Sequence, residues 1–536
     1  MSGTHLTLKN LYAFIQARTG STRLPWKVLR ELPNSSGITL LDHIHSRVSR
    51  VIPSSRIVYL IPDGDSELQD FLLKKKRNVY QGPLEDVRLR YIRAAERFGA
   101  DAILRLTGDN PFYDVPHLEL LVQSFALGTS DLSYFQGLPL GTGGEIFRTS
   151  ALVWEPKTGL EERHQEHVSL HIKESPDQFK ILSLPNLIPQ QYNSKSISEL
   201  RLTIDTEQDF DTISKILTGP AVRAPRDKNG IPLFDINDLL NWLQSSPRVF
   251  EGNREIEQIR FKWNPTKIRP KGTAGILAAP AKDFGSGHES RMKLLYSLLP
   301  DRNWKPIWLE SFPEDGEVDL LIVDYRDISI KNQYLETKVL VLDHFGSERN
   351  LYQYHDLLPH PKNEANFDWD NVLLPPIVTS KALQALEETP ENYSIFCYAG
   401  NIEQKMCREL DQALLSTSPT GKILRIGGAD PIPETVGTIV HYKRISNLEF
   451  YESLKHSNHF FGYFGQSLLE AMYLKKSVAT FSISSAHHVL SDWMQKTVGV
   501  PYFTHQGKIQ FSTGTKKPGP EGYRILLERI DRFSSL

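Results

Sequence analysis

The chain is poor in cysteine, with Cys397 and Cys407 the two thiols among 536 residues. That excludes a disulfide scaffold and a cysteine-rich metal site. Charge of neither sign is in excess: 62 Lys and Arg stand against 64 Asp and Glu, for a net charge of −2. The surface as a whole is therefore no electrostatic footprint for nucleic acid or anionic membrane, although a local basic site is compatible with the balance. The sequence has no apolar run of the length that spans a bilayer, and Met1-Ser2-Gly3-Thr4-His5 lacks the basic and apolar regions of a secretory signal. Internal repeats and low-complexity tracts are also missing. The expectation is a cytoplasmic protein in a reducing compartment, without a nucleic-acid partner or a membrane span.

What is present is an alternation of apolar runs and helical patterns. Leu11 to Ala17, Arg56 to Ile61, Ala102 to Leu106 and Arg201 to Ile204 read as strands, and Leu84 to Phe98 carries Val87, Tyr91, Ala94, Ala95 and Phe98 at helical spacing. Pro247 to Lys271 is charged, carries three prolines and has no apolar period, as a connector would. Beyond it, Gly275 to Ala279, Val318 to Val323, Val339 to Leu342, Ser394 to Ala399, Lys422 to Ile426 and Ser477 to Phe481 read as strands. The fold class is α/β throughout. The expected division is 1–248, a linker over 249–272, then two lobes over 273–385 and 386–536.

Three pieces of the first half carry candidate chemistry. The loop Gln16 to Lys27 follows a strand and combines Arg18, Gly20, Ser21, Arg23 and Lys27. Such a loop can wrap a triphosphate with its cations and backbone N–H groups, or be a polar turn with solvated charges. It is not a Walker A loop. Asp109 follows the strand Leu104 to Thr107 and would face the crevice at a strand's carboxyl end, or serve as a turn residue before Asn110-Pro111. Asp205 ends a second apolar run, with Thr206 able to cap the next helix. It either joins Asp109 in holding Mg²⁺ against phosphate oxygens or complements the helix dipole.

These pieces, with Gly82 to Tyr91, Gly144-Glu145-Ile146-Phe147 and Glu166-His167-Val168, stand in the order seen in sugar cytidylyltransferases. Residues 10–245 resemble the F-type branch of spore coat polysaccharide biosynthesis, related to acylneuraminate and 3-deoxy-manno-octulosonate cytidylyltransferases. The resemblance implies a Rossmann-like nucleotidyltransferase domain that transfers CMP from CTP to a sugar and releases pyrophosphate. It implies Arg18, Arg23 and Lys27 on the triphosphate, with Gly20 and Ser21 in the same loop, and Asp109 and Asp205 on Mg²⁺. Glu145 and His167 would meet the sugar, or serve ordinary structural hydrogen bonds. A homodimer is also implied. Two departures stand out: Trp26 where the family commonly has Gly before the Lys, and Gln81 where an Arg often precedes Gly82.

In the second half, Gly285-Ser286-Gly287-His288-Glu289-Ser290-Arg291 runs from a strand into an apolar-periodic helix. The two glycines allow close backbone approach and His288 can act as a base, or the segment is a tight loop with an outward His. Downstream, Gly465-Gln466-Ser467-Leu468-Leu469-Glu470 opens a helix with an early Glu, suited to ribose hydroxyls or to capping. Together with Leu321-Ile322-Val323-Asp324 these resemble the G-type spore coat polysaccharide proteins and the UDP-sugar hydrolases of pseudaminic acid biosynthesis, which are built on the two-lobed GT-B plan. That resemblance implies His288 as the base and Gly285, Gly287, Gly465, Ser467 and Glu470 around UDP. The whole chain then reads as a bifunctional enzyme of surface-polysaccharide or nonulosonic-acid-type synthesis. The alternatives are a glycosyltransferase in the second half, or domains that bind nucleotide sugars without turning them over.

Overall fold

A computed structural model describes residues 10–192, 197, 200–256, 269–326, 328–330, 333–363, 366–380, 392–431, 437–504 and 507–535. The chain divides into two compact units between Arg269 and Pro270. Half of the linker, residues 257–268, lies outside the described residues, as does the expected lobe boundary at 385/386.

The first unit is built on a seven-stranded sheet: β1 (Leu11–Gln16), β2 (Ile57–Pro62), β3 (Asn78–Gly82), β4 (Ala102–Thr107), β5 (Leu132–Gln136), β6 (Glu145–Arg148) and β7 (Ile181–Pro185), in the order β3-β2-β1-β4-β6-β5-β7. β1 to β4 pair in parallel, and β6 runs antiparallel to both β4 and β5. β1 and β4 are in register from Leu11↔Ala102 to Gln16↔Thr107, so both chains leave the sheet side by side at their carboxyl ends. Apolar side chains from the sheet, among them Phe14, Val58, Leu60, Ile103 and Phe147, pack with Tyr91, Ala94 and Ala95 of the helix Val87–Phe98. Asp86 caps that helix through Leu89 N, three residues later than the start expected from the pattern.

One expected strand is corrected. Arg201 to Ile204 is not a strand; Arg201 makes an isolated bridge to Leu140, and Leu202 N donates to Leu140 O at 2.8 Å. Arg201, Leu202, Thr203 and Ile204 are all buried, so the run reflects a segment packed inside, around a buried cation described below, rather than a ladder. Gly141 sets the approach of these segments: its φ is +95°, and a Cβ would stand 2.6 Å from the Leu202 carbonyl carbon and 2.7 Å from Thr203 N. Gly141→Ala is therefore expected to cost more than about 2 kcal/mol, through both the left-handed backbone and the clash with main chain that cannot yield. Chemical denaturation checks this; a midpoint within error of wild type would contradict it.

The second unit holds two parallel five-stranded sheets. The first is β8 (Gly272–Ala278), β9 (Trp304–Leu309), β10 (Leu320–Asp324), β11 (Lys338–Leu342) and β12 (Gln353–His355), in the order β12-β11-β10-β8-β9. The other is β13 (Tyr393–Gly400), β14 (Ile423–Gly427), β15 (Ile439–Tyr442), β16 (Ser457–Tyr463) and β17 (Ser477–Phe481), in the order β15-β14-β13-β16-β17. Parallel strands buried on both faces read as continuous apolar runs, which is why Leu320 to Val323 was legible as a strand. The final helix, Gly522–Ser535, is tied to the first of these sheets by Tyr523, whose hydroxyl donates to Arg291 O, and by Asp531, which pairs with Lys271 and Arg302. Cys397 and Cys407 are both buried and free. Among the described residues no helix is long and apolar enough to cross a membrane.

Candidate active site

The loop after β1 is folded around Thr19. Its backbone N and its hydroxyl donate to the Asp65 carboxylate at 2.9 and 3.0 Å, while its carbonyl accepts from Ser21 N and Trp26 N. Arg18, Gly20 and Arg23 are exposed on this loop, and Ser21 is half-buried. Trp26 has φ +63° and ψ 8°, a left-handed conformation that glycine adopts without strain. This is the physical sense of the departure noted above: the backbone still has the shape that suits glycine, and the indole is carried on it, 45% exposed.

Lys27 opens a short 3₁₀ turn and is buried. Its ammonium donates to Ile204 O at 2.7 Å, to Asp205 Oδ1 at 2.9 Å and to Asp109 Oδ2 at 3.5 Å. The two carboxylates come from segments stitched together by main chain, since Ile204 N donates to Asp109 O at 2.9 Å. Asp109 is placed by Gly108, whose N donates to Gln16 O and whose missing side chain lets β4 leave beside β1; a Cβ there would stand 2.9 Å from Ala17 Cβ. The Thr107 hydroxyl donates to Asp109 Oδ1 at 2.6 Å.

Asp205 also meets Arg23 Nη2 at 3.3 Å and Arg201 Nη2 at 2.9 Å. Burial pushes its carboxyl up, but Lys27 first, then Arg23 and Arg201, outweigh that and hold it below the usual carboxylate range. Arg201 is in turn held by Asp209, fully buried, through Nε to Oδ1 at 2.8 Å. Asp209 also closes the capping box with Thr206 at the start of the helix Glu207–Thr218. Thus Asp209 serves the cap, and Asp205 faces the cations. Arg201 is a site residue that periodicity missed: its signal was an Arg four residues before Asp205, hidden because the segment looked like a strand.

Glu145 is buried among partners from its own chain. It accepts from Arg105 Nη1 at 2.8 Å, Ser169 Oγ at 2.6 Å and Lys173 Nζ at 2.5 Å, which occupies both carboxylate oxygens. Burial opposes its charge, yet Lys173 and then Arg105 bring its pKa down to about 2. These are hydrogen bonds of the structural kind that stood as the alternative to a sugar contact, and they fix Arg105, whose Nη2 donates to Gln16 Oε1 at 3.3 Å. His167 ends the short helix Glu162–Glu166 and takes no part in the contacts that join Lys27, Asp109 and Asp205.

In the second unit, Asp324 at the end of β10 is fully buried. It lies 2.8 Å from His288 Nδ1 and accepts from Arg291 Nε at 2.6 Å and Nη2 at 2.5 Å; Nη2 also reaches Asp343 Oδ2 at 3.0 Å. Asp343 Oδ1 accepts from Leu357 N and Leu358 N. Burial opposes ionisation of Asp324, but Arg291 and then His288 hold it well below the usual carboxylate range. Asp324 thus orients His288, and Arg291 anchors the helix Ser286–Leu298 to two strand ends; sequence reading gave Asp324 and Asp343 no role. The second motif comes close: a Cβ on Gly287 would stand 3.9 Å from Gln466 Cβ, at the start of the helix Gln466–Tyr473, just past Gly465 and before Ser467.

Glu470 is not in the first turn of that helix, so the dipole-cap alternative is corrected. It is buried, accepts from the Tyr451 hydroxyl at 3.0 Å, and burial raises its pKa to about 7. Between its ordinary value of 4.5 and about 7 the unfolded chain has lost this proton while the folded chain keeps it, so stability falls as pH rises through that window. Glu470→Gln is expected to remove about 3 kcal/mol of that decline. Denaturation of the two proteins at pH 5 and pH 8 checks it; parallel pH profiles would contradict it.

A mostly parallel sheet, in which the neighbouring strands β1 and β4 exit beside a basic loop and paired acids, defines an α/β unit of the nucleotidyltransferase class. More particularly, the chain belongs to the cytidylyltransferase family, whose pattern matches residues 12–248. It is 34% identical over 214 residues to the spore coat polysaccharide biosynthesis protein SpsF of Bacillus subtilis, covering 39% of this chain and 87% of SpsF. It is 27% identical over 252 residues to an uncharacterized protein of Methanocaldococcus jannaschii, covering 47% of this chain and 98% of that one. Among solved structures, a cytidylyltransferase from Leptospira borgpetersenii is 26% identical with a TM-score of 0.39, covering 47% of this chain and all of that chain. The family match ends at Arg248 and does not include the second unit.

Proposed function

We propose that residues 1–248 transfer CMP from CTP to a sugar hydroxyl with release of pyrophosphate. The observation that carries this is Lys27 joined to both Asp205 and Asp109 at the carboxyl end of the sheet, beside the exposed cations Arg18 and Arg23. In this reading Arg18, Arg23 and Lys27 hold the triphosphate with the backbone of Gly20 and Ser21, offsetting charge that grows on the leaving pyrophosphate. Mg²⁺ fits the acids present: two carboxylates reach one cation, and Mg²⁺ commonly takes one or two carboxylates plus phosphate oxygens. When bound, such an ion neutralises phosphate charge and aligns the α-phosphorus for attack. Among the described residues no cluster of three or more His, Cys, Asp or Glu offers a separate metal site.

For the second unit, read as lobes over 273–385 and 386–536 joined to the first by the linker 249–272, the favoured reading is hydrolysis of a UDP-sugar. His288, oriented by Asp324, activates water, and Gly285, Gly287, Gly465, Ser467 and Glu470 surround the UDP. A carboxylate on Nδ1 is the arrangement that makes the far ring nitrogen basic. A GT-B glycosyltransferase that consumes the activated sugar is the second reading, since helix N-termini meeting at Gly287 and Gln466 suit a nucleotide sugar in either reaction. The protein acts in the cytoplasm, as a homodimer, in surface-polysaccharide or nonulosonic-acid-type synthesis. Pyrophosphate release is measured with Mg²⁺, each of CTP, UTP, ATP and GTP, and a panel of acidic 2-keto and neutral sugars. CTP-selective release supports the first unit's role; equal release from all four nucleotides opposes it. Protection of the second unit from proteolysis by UDP but not CMP supports the hydrolase, and no response to either opposes both readings of that unit.

A further inference from the structure

We propose that the Lys27 ammonium group is an internal stand-in for the divalent cation, holding Asp109 and Asp205 together until a nucleoside triphosphate draws it away. Metal and nucleotide then enter the site as a pair, and free metal is excluded. The inference rests on the assignment of Asp109 and Asp205 as the cation's carboxylates.

An ammonium group has three N–H donors, and Lys27 directs contacts to Ile204 O, Asp205 Oδ1 and Asp109 Oδ2 at 2.7, 2.9 and 3.5 Å. With all three engaged by the chain, Lys27 reaches a phosphate oxygen only by releasing one of them. The long contact to Asp109 is the weakest and the first to yield. Because the side chain is only 10% exposed, water does not screen this competition as it would at the surface.

Charge balance points the same way. Lys27, Arg23 and Arg201 face Asp109, Asp205 and Asp209, three cations against three carboxylates, each linked to the next by a contact of 3.5 Å or less. A divalent ion added alone leaves two positive charges uncompensated beside Lys27 and Arg23, and like charges at such distances repel strongly. A triphosphate added with the ion reverses that sign and offers Lys27 and the 58%-exposed Arg23 side chain new partners. The binding of the two ligands is therefore positively coupled through Lys27.

The experiment uses the full chain and Mn²⁺ as the probe, with free Mn²⁺ followed by electron paramagnetic resonance and no nucleotide present. Lys27→Met is expected to bind Mn²⁺ about 5–150-fold tighter than wild type, the usual span of coupling between two sites, and to lose that gain in an Asp205→Asn background. Lys27→Gln repeats the comparison should Lys27→Met melt below the assay temperature. CTP is titrated into wild type by calorimetry, with Mg²⁺ present, as a separate reading. Equal Mn²⁺ affinity in wild type and both Lys27 variants, with CTP still bound, overturns the stand-in and leaves the nucleotide site standing. A gain that persists after Asp205→Asn places the metal elsewhere and also overturns it. No binding of CTP at all overturns the nucleotide site together with this inference.

Discussion

Asp205→Asn is expected to lower the rate of CTP-dependent pyrophosphate release about a thousandfold while the protein stays folded. The carboxylate meets Lys27, Arg23 and Arg201 within 3.3 Å, so its loss removes the acid that gathers the site's cations and one of the two acids proposed for Mg²⁺. Electrostatic groups aimed at developing charge are worth about 10²–10³ in rate apiece, and this one serves both the metal and the lysine. The fold survives because Arg201 keeps its buried partner Asp209, and the cap of the helix Glu207–Thr218 is made by Thr206 and Asp209, not by Asp205. Initial rates with saturating CTP, alongside a thermal melt, separate the two effects. A variant within about threefold of wild type would overturn the role given to Asp205.

The largest stability effect is expected at Arg291. Its guanidinium is buried between Asp324 and Asp343, both fully buried, and these pairs tie the helix Ser286–Leu298 to the ends of β10 and β11. Breaking a buried ion pair by removing one partner costs about 3–5 kcal/mol, because the remaining charge has no compensation. Arg291→Met keeps most of the side-chain volume and is expected to lower the second unit's thermal transition by roughly 10 °C. Calorimetry of the full chain reads this directly; a transition moved by less than about 2 °C would show that the aspartates are satisfied without the arginine. Asp343 keeps hydrogen bonds from Leu357 N and Leu358 N, so Asp343→Asn is the milder change.

What the sequence made legible was local. β1, β2, β4, β8, β10, β11, β13, β14 and β17 announce themselves as short apolar runs, and Thr206 and Asp109 stand where a cap and a strand-end acid belong. The strands β3, β5, β6, β7, β9, β12, β15 and β16 were missed. β3 is nowhere fully apolar along its length and is only partly buried over Asn78 to Gln81, and β6 and β15 are four residues each, too short to show a period. Arg201 to Ile204 misled in the opposite direction, because a segment buried at every residue reads as an apolar run without pairing in a ladder. The partnerships were not readable either: Lys27 and Asp205 are 178 positions apart, and Arg291 finds Asp343 from 52 away. Trp26 shows a related limit, since its φ of +63°, a value that suits glycine, belongs to the backbone and not to the residue name.

Whether the first unit joins CMP to a sugar is tested most directly by phosphorus NMR of one reaction mixture. CTP, Mg²⁺, the full chain and the sugar that supports pyrophosphate release are followed together. The expected result is loss of the three CTP resonances and matched growth of pyrophosphate and one phosphodiester, the α-phosphorus now linking cytidine to the sugar. Formation of CDP with inorganic phosphate, or of free CMP with every sugar tried, would contradict it.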